Sequence, residues 1–176
     1  SRTERIVKNY LLLDLLSEEN IVTILKEIEP THIFHLAGMS NVNDSWIARR
    51  SVLESNTIAT INLLEAVKKS KQKIRVITIG SSEEYGLIDP MYTKVSEEAQ
   101  LNPMSPYGIS KAAVSMLVRQ YYKADHLDVI HIRPFNHIGP GQGLGFVTSD
   151  FANQIAFINS GKIKRSQMKI GNLESV

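Results

Sequence analysis

The sequence predicts an α/β protein built on a doubly wound parallel sheet. Two observations predict it: short apolar runs alternate with longer helical patterns, and small or polar residues follow most of the apolar runs. A chain of 176 residues that is 43% hydrophobic and 22% charged can also bury one sizeable core. Strands that alternate with helices imply right-handed crossovers, so the carboxyl ends of the strands meet at one edge of the sheet.

The first part of the chain contains one predicted strand and one predicted helix. Residues 10–15 form an apolar run that is too short for a surface helix, which predicts a buried strand. Ser17 is a good N-cap for a helix over residues 18–28, and Pro30 explains why that helix ends.

Three further strands and two further helices follow. The pattern over residues 51–70 predicts a long helix whose buried stripe comprises Ile58, Ile61, Leu63, Leu64 and Val67. The other helix is predicted over residues 106–124, and the strands are predicted over residues 31–37, 74–79 and 129–133.

Composition excludes several classes of protein. The formal charge of +2 is spread without a basic run, which argues against nucleic-acid binding. No apolar stretch approaches the roughly 20 residues of a membrane span, and no signal peptide pattern opens the chain. The lack of cysteine excludes disulfides and fits a reducing cytoplasm. His32 and His35 face opposite sides of their predicted strand, so we predict no metal site.

The segment around Tyr107 carries the clearest chemistry. Ser105 suits an N-cap and Pro106 suits the first helical position, so Tyr107 and Lys111 share one helix face at i and i+4. An ammonium group favours the phenolate, which predicts a tyrosine pKa lowered toward neutrality. Ser81 follows a predicted strand and reaches the same edge of the sheet, where its hydroxyl can stabilise a carbonyl oxygen that Tyr107 protonates.

One expected element does not precede this segment. A dinucleotide-binding domain usually opens with a strand and a G-x-G-x-x-G loop, and no such loop precedes Asp14. We therefore expect an N-terminally truncated Rossmann-like NAD(P)-binding domain over residues 1–138. The glycines at 139–145 recur at every second position, which favours a crossing into a substrate-binding lobe over residues 139–176 rather than a phosphate loop.

The sequence resembles the extended short-chain dehydrogenase/reductases that act on nucleotide sugars. Their serine, tyrosine and lysine triad matches Ser81, Tyr107 and Lys111. The stretches that narrow the resemblance are residues 80–86, 135–142, 145–152 and 171–174, which look like the GDP-6-deoxy-4-keto-mannose reductases. The GDP-mannose 4,6-dehydratases are the nearest relatives by the same stretches.

The resemblance implies roles for many further residues. Asp14 is expected to contact the adenine, and Asn56 to support the loop under the nicotinamide. Besides these and the triad residues Tyr107 and Lys111, expected cofactor contacts are Arg2, Leu15, Leu36, Ala37, Gly38, Ile79, Gly80, Arg133 and His137. Expected substrate contacts are Ser82, Glu83, Asn136, Phe146 and Val147.

The resemblance also implies a cofactor and a partner. Family members that prefer NADP carry a basic residue where Arg2 is expected to lie, and a guanidinium suits a 2′-phosphate, so NADP(H) is favoured over NAD(H). The implied partners are a GDP-linked sugar and a second copy of the chain, which joins through a helix bundle.

Three functions remain open from the sequence. The favoured one is NAD(P)H-dependent reduction of the 4-keto group of a GDP-6-deoxy-4-keto-hexose to GDP-rhamnose. The second is a dehydratase, or another nucleotide-sugar epimerase/dehydratase, in which Glu83 is the additional catalytic acid/base. The third is a catalytically silent sugar-nucleotide-binding protein, which is considered because fold alone does not imply activity. The intact triad argues against this third function.

Overall fold

A sheet of three parallel strands forms the centre of the structure, a computed structural model that describes residues 10–88, 91, 94–162 and 167–171. The strands lie in chain order, β1-β2-β3, and Val76 of the central strand pairs with Ile33 on one side and Val129 on the other. The predicted α/β fold with a parallel sheet is therefore confirmed. The strands are β1 (His32–His35), β2 (Arg75–Ile79) and β3 (Val129–Ile132).

Helices connect the strands, and a further helix follows β3. Between β1 and β2 the helical segments run on with one short break at Ala48, and a π turn at Glu54–Ile58 separates two α-helices. A 3₁₀ turn at Ser82–Glu84 follows β2. The α-helices are α1 (Glu18–Ile28), α2 (Val42–Ile47), α3 (Arg49–Leu53), α4 (Ala59–Ser70), α5 (Pro106–Asp125) and α6 (Val147–Asn159).

The ends of α1 and α5 follow from their flanking residues. α1 has the predicted bounds and ends where Glu29 turns into the left-handed region, directly before Pro30. The hydroxyl of Ser105 accepts a hydrogen bond from the Gly108 N–H at 3.0 Å, so α5 begins as predicted, and it ends one residue later than predicted.

One face of the sheet carries the main core. Ile33, Val76 and Val129 form a row across the strands on this face. Side chains of α1, α4 and α5 pack in the same cluster, and Leu64, Val76 and Ile21 are almost completely buried. Burial of these apolar side chains stabilises the sheet and holds its carboxyl edge in place.

The predicted strand over residues 10–15 is wrong. These residues carry no strand assignment, and Leu12 is 89% exposed. An extended segment becomes a strand only when a neighbouring strand pairs with its backbone, and none of the described residues pairs with this one. Leu13 and Leu15 still pack against the core, which accounts for the apolar pattern.

The second strand and the long helix also differ from the prediction. β1 covers only His32–His35 of the predicted residues 31–37, because the chain leaves the sheet toward Gly38, where φ is +141°. The predicted helix over residues 51–70 begins earlier, at Arg49, and the π turn interrupts its regular repeat. The predicted buried stripe is confirmed at Leu63, Leu64 and Val67, and Ile61 is half-buried. The prediction is wrong at Ile58, which is exposed because the π turn shifts the helix register.

The chain divides into two compact units, Ser1–Phe135 and Asn136–Val176. The first contains the sheet and α1 to α5, and the second contains α6. In the second unit the Asp150 carboxylate accepts the Gly145 N–H at 2.9 Å, which ties the glycine-rich segment to the first turn of α6. The predicted cofactor domain and substrate lobe stay predictions for these units. In the part of the chain that the structure describes, no helix is both long and apolar enough to cross a membrane.

Candidate active site

Ser81 lies at the first turn beyond β2. The Gly80 N–H donates to the Ile132 carbonyl at 2.7 Å, so sheet pairing continues up to this position. Ser81 then caps the 3₁₀ turn: its hydroxyl accepts the Glu83 N–H at 3.2 Å, and the Glu84 carboxylate accepts the Ser81 N–H at 2.9 Å. This reciprocal capping box fixes the backbone of Ser81 at the carboxyl edge of the sheet.

α5 brings Tyr107 and Lys111 to the same edge. The Ser81 side chain lies close enough to the phenol of Tyr107 to influence its pKa, and the Tyr107 side chain is buried. The Lys111 ammonium donates to the Ile79 carbonyl at 2.8 Å and lies 5.7 Å from the centroid of the Tyr107 ring. The structure therefore assembles the three residues that the sequence places in a triad.

The electrostatics of the site differ from the prediction. Burial raises the pKa of Tyr107, and the charges of Glu83 and Glu84 raise it further, against the lowering effect of the Ser81 hydrogen bond. The predicted lowering by Lys111 is wrong for this arrangement, because the ammonium binds the Ile79 carbonyl rather than the phenol. Burial lowers the pKa of Lys111, and Glu84 opposes that shift.

Glu83 lies beside the start of α5. Its carboxylate accepts a hydrogen bond from the Ser105 hydroxyl at 3.1 Å, and its charge acts on Tyr107. Ser82 begins the 3₁₀ turn, and its N–H donates to the Pro134 carbonyl at 3.0 Å. Both residues therefore lie at the edge where substrate contacts are predicted.

Asn56 connects the loop after β1 to α5. Its side-chain amide accepts the Met39 N–H at 2.8 Å and donates to the Met39 carbonyl at 3.1 Å and to the Ser110 hydroxyl at 2.9 Å. Ser110 in turn donates to the Tyr107 carbonyl at 2.7 Å. The predicted support of this loop by Asn56 has a structural basis in these bonds, while the contact of the loop with a cofactor stays a prediction.

Leu36, Ala37 and Gly38 form the exposed start of that loop. At Gly38 a Cβ atom would lie 2.5 Å from Oδ1 of Asn56. We expect Gly38→Ala to lower the free energy of unfolding by about 1–3 kcal/mol, since the backbone conformation is one that only glycine adopts easily. Urea denaturation of this variant and of Gly139→Ala, whose site has open space, checks the prediction. Equal stability of the two variants would contradict it.

Asp14 and Leu15 lie in the turn before α1. The Asp14 carboxylate accepts the Leu16 N–H at 2.9 Å, and the Leu15 carbonyl accepts a bond from the Asn62 side chain at 3.0 Å. The first bond closes the turn, and the second attaches it to α4. The adenine contact predicted for Asp14 stays a prediction.

Arg133 is bonded within the protein. Its guanidinium forms an ion pair with Glu84 at 3.2 Å and donates to the Tyr85 hydroxyl at 2.7 Å and to the Glu97 carbonyl at 3.1 Å. These contacts give Arg133 a structural role, and its predicted cofactor contact stays a prediction.

The remaining predicted contacts fall outside the first unit or outside the described residues. Asn136, His137, Phe146 and Val147 belong to the second unit, and Asn136 and Val147 are exposed. Arg2 and the resemblance stretch at 172–174 lie outside the described residues. Among the described residues, no group of three or more histidine or acidic side chains is placed to hold a metal ion.

The contact between Glu84 and His131 at this site was not predicted from the sequence. The Glu84 carboxylate is completely buried and contacts Nε2 of His131 at 2.9 Å. The other ring nitrogen of His131 bonds the Thr78 hydroxyl at 2.8 Å. The spacing of a capping box, a serine followed three residues later by a glutamate, is present at Ser81 and was the available signal.

His35 lies at the end of β1 and bonds the Thr60 hydroxyl at 3.0 Å. Burial, together with the nearby Lys111 charge, lowers its pKa from 6.5 to about 4. The unfolded chain therefore binds a proton first as the pH falls, so this contribution to stability is complete above pH 6.5 and is lost toward pH 4.

We expect the His35 effect to be measurable. Wild-type protein should lose about 3 kcal/mol more stability between pH 7 and pH 4 than His35→Gln, which has no ring to protonate. Chemical denaturation at several pH values checks this. His32→Gln, which removes an exposed histidine from the same strand, is the control. A pH dependence of His35→Gln equal to that of the wild type would refute the prediction.

Fold and site together define a short-chain dehydrogenase/reductase: a parallel α/β sheet carries a serine, a tyrosine and a lysine at its carboxyl edge. The chain belongs to the family described as GDP-mannose 4,6 dehydratase, whose model matches residues 3–176.

Individual relatives agree with this assignment. The chain is 32% identical over 161 residues to the GDP-6-deoxy-D-mannose reductase of Pseudomonas aeruginosa, a match that covers 92% of this chain and 52% of the relative. It is 29% identical over 164 residues to the human GDP-mannose 4,6 dehydratase, covering 92% and 43%. The chain thus spans about half the length of the curated relatives it matches.

A solved structure is similar as well. RMD from Pseudomonas aeruginosa complexed with NADPH superposes with a TM-score of 0.82 at 32% identity, over 89% of this chain and 53% of that one. The family resemblance seen in the sequence is therefore confirmed, and the family consists of nicotinamide-dependent nucleotide-sugar enzymes.

Proposed function

We propose that the protein containing this chain reduces the 4-keto group of a GDP-6-deoxy-4-keto-hexose and forms GDP-rhamnose, with NADPH as the favoured reductant. The observation that carries the proposal is that Ser81, Tyr107 and Lys111 meet at one edge of the sheet, where the Lys111 ammonium lies 5.7 Å from the centroid of the Tyr107 ring. Similarity to a GDP-6-deoxy-D-mannose reductase supports the substrate class.

The residues present fit a dinucleotide cofactor. Leu36, Ala37 and Gly38 are exposed in the loop that follows β1, and Asn56 holds the next residue of that loop, Met39. When bound, the reduced nicotinamide supplies the hydride. The residues proposed to hold the cofactor are Arg2, Asp14, Leu15, Leu36, Ala37, Gly38, Ile79, Gly80, Arg133 and His137, with Asn56 as support.

The triad supplies the proton and the alignment. The Ser81 hydroxyl holds the substrate carbonyl oxygen, and Tyr107 donates its phenolic proton to that oxygen as charge develops there. Lys111, held by the Ile79 carbonyl, places a positive charge close to the phenolate that this transfer leaves on Tyr107. Ser82, Glu83, Asn136, Phe146 and Val147 are the proposed substrate contacts.

A dehydratase is the second candidate, and Glu83 favours it. A 4,6-dehydratase needs an additional acid/base residue, and the Glu83 carboxylate lies close enough to Tyr107 for its charge to raise the tyrosine pKa. The match to the GDP-mannose 4,6 dehydratase family supports this candidate as well.

One assay separates the candidates. The full-length protein is supplied with GDP-4-keto-6-deoxy-mannose and NADPH, and separately with GDP-mannose, while products and nicotinamide absorbance are followed. Net NADPH oxidation with the keto sugar supports the reductase. Turnover of GDP-mannose without net cofactor consumption supports the dehydratase. Binding without either turnover contradicts both and supports the silent binding protein.

We also propose that two copies of the protein associate through α5 and the helical segment from α3 to α4. Both elements expose apolar side chains, and an exposed apolar face is suited to a helix–helix interface. Sedimentation of Met116→Lys against the wild type tests this, since a buried lysine would shift a dimer toward monomer. The exposed residues are Leu53, Ile58, Ile109 and Met116.

A cytoplasmic location stays a prediction from the lack of cysteine.

A further inference from the structure

We infer that Glu84 is a positioning residue for the proposed reduction: its buried carboxylate, bound to β3, fixes Ser81 so that the serine hydroxyl faces Tyr107. The inference depends on the proposed function and adds a residue to it. Glu84 lies in the 3₁₀ turn between β2 and α5, and its side chain is 0% exposed.

The contacts of Glu84 connect two elements. Oε1 accepts the Ser81 N–H at 2.9 Å and lies 2.9 Å from Nε2 of His131, while Oε2 lies 3.2 Å from Nε of Arg133. His131 and Arg133 belong to β3 and the residue that follows it. The carboxylate therefore ties the Ser81 backbone to the neighbouring strand.

His131 is itself held in place. Its Nδ1 bonds the Thr78 hydroxyl at 2.8 Å, and Thr78 pairs with His131 in the register of β2 and β3. The ring thus cannot turn away from Glu84 without losing a bond inside the sheet. A carboxylate held by two fixed partners is itself fixed, as positioning requires.

Gly80 makes room for this arrangement. A Cβ atom at Gly80 would overlap Oε1 of Glu84 and Nε2 of His131. The turn therefore accommodates the carboxylate and the imidazole only because residue 80 has no side chain.

Stability alone gives a weak reason for a carboxylate here. Desolvation of a buried ion pair offsets much of its attraction, and apolar side chains of similar volume often serve as well or better. An apolar side chain at position 84 would leave the Ser81 N–H without its acceptor. The bond to Ser81 is thus the property that an apolar replacement lacks.

The charge of Glu84 also reaches the other two triad residues. Burial is the main cause of the raised pKa of Tyr107, and the Glu84 charge adds to it. Burial lowers the pKa of Lys111, and the same charge opposes that change. The Glu84 carboxylate therefore has two effects that can be tested separately: its hydrogen bond positions Ser81, and its charge acts on Tyr107 and Lys111.

Two variants of the full-length enzyme separate them. Glu84→Asp keeps the charge but withdraws it by one methylene from the Ser81 N–H, and we expect kcat to fall by about 10-fold to 100-fold with KM nearly unchanged. Glu84→Gln keeps the reach and removes the charge, so the alkaline limb of the kcat profile should move to lower pH as the Tyr107 pKa falls. Wild-type kcat in Glu84→Asp would overturn the inference.

Tyr121→Phe is the control for structural damage. It removes a hydrogen bond of 2.6 Å from a largely buried phenol to Glu65, in the last turns of α5 and away from Ser81. We expect this variant to lose stability but to keep kcat. A fall in kcat equal to that of Glu84→Asp would overturn the inference, because general loosening would then explain both.

A measurement without turnover distinguishes failure of the inference from failure of the proposed function. Amide hydrogen exchange at Ser81 should be faster in Glu84→Asp than in the wild type, because the acceptor is withdrawn. If the wild-type enzyme does not reduce the keto sugar, the proposed function fails, and faster exchange at Ser81 still supports positioning by Glu84. Unchanged exchange overturns the inference. If Glu84→Asp does not fold, Glu84→Gln decides it: the carboxamide oxygen can still accept the Ser81 N–H, so exchange at Ser81 should stay as slow as in the wild type, and faster exchange overturns the inference.

Discussion

Tyr107→Phe is expected to lower kcat for the keto sugar by about 10²-fold to 10⁴-fold, the contribution typical of a positioned proton donor. The ring remains packed in place, whereas the phenolic hydroxyl beside Ser81 is lost. Cofactor affinity should change little, since the removed group serves the substrate oxygen. Steady-state kinetics, with cofactor binding measured separately by fluorescence, checks both parts.

Tyr122→Phe is the matched control for this variant. Tyr122 lies on the same helix but is largely exposed. We expect its replacement to leave kcat unchanged. Undiminished turnover in Tyr107→Phe would remove Tyr107 from the role of proton donor.

Arg133→Met is expected to lower the free energy of unfolding by about 3–5 kcal/mol, the cost typical of leaving one member of a buried ion pair without its partner. The Glu84 carboxylate is completely buried, and the guanidinium also bonds Tyr85 and the Glu97 carbonyl. Urea denaturation of the cofactor-free protein measures the loss without any contribution from cofactor binding.

Arg75→Met provides the contrast for this second prediction. Arg75 pairs with Asp128 at 2.9 Å, but both side chains are about half exposed. Its replacement should cost about 0–1 kcal/mol, as is usual for surface pairs. If the two arginine variants were equally stable, the structural role assigned to Arg133 would be refuted.

Residues next to the helix ends predicted where two of the helices begin or end. Pro30 follows the end of α1, and Ser105 with Pro106 set the start of α5, whereas Ser17 precedes α1 without a side-chain cap hydrogen bond. The meeting of Ser81 with Tyr107 also followed from the sequence, because parallel strands bring their carboxyl ends to one edge.

Features that depend on partners distant in the chain were not predictable in the same way. The strand assignment for residues 10–15 failed because an apolar pattern does not show whether a neighbouring strand is available for pairing. The predicted lowering of the Tyr107 pKa failed because burial and the charges of Glu83 and Glu84 raise it, while the Lys111 ammonium binds the Ile79 carbonyl. The contact of His131 with Glu84 was not predictable, because the two residues are 47 positions apart in the sequence.

The Asn56 amide has a consequence for kinetics in the proposed reaction. The Asn56 side chain binds both the N–H and the carbonyl of Met39. It also bonds Ser110, which in turn bonds the Tyr107 carbonyl in the first turn of α5. The loop and the helix therefore cannot loosen independently. A substitution that perturbs either the loop or the helix should therefore raise the cofactor KM and lower kcat together, because Asn56 couples cofactor affinity to turnover.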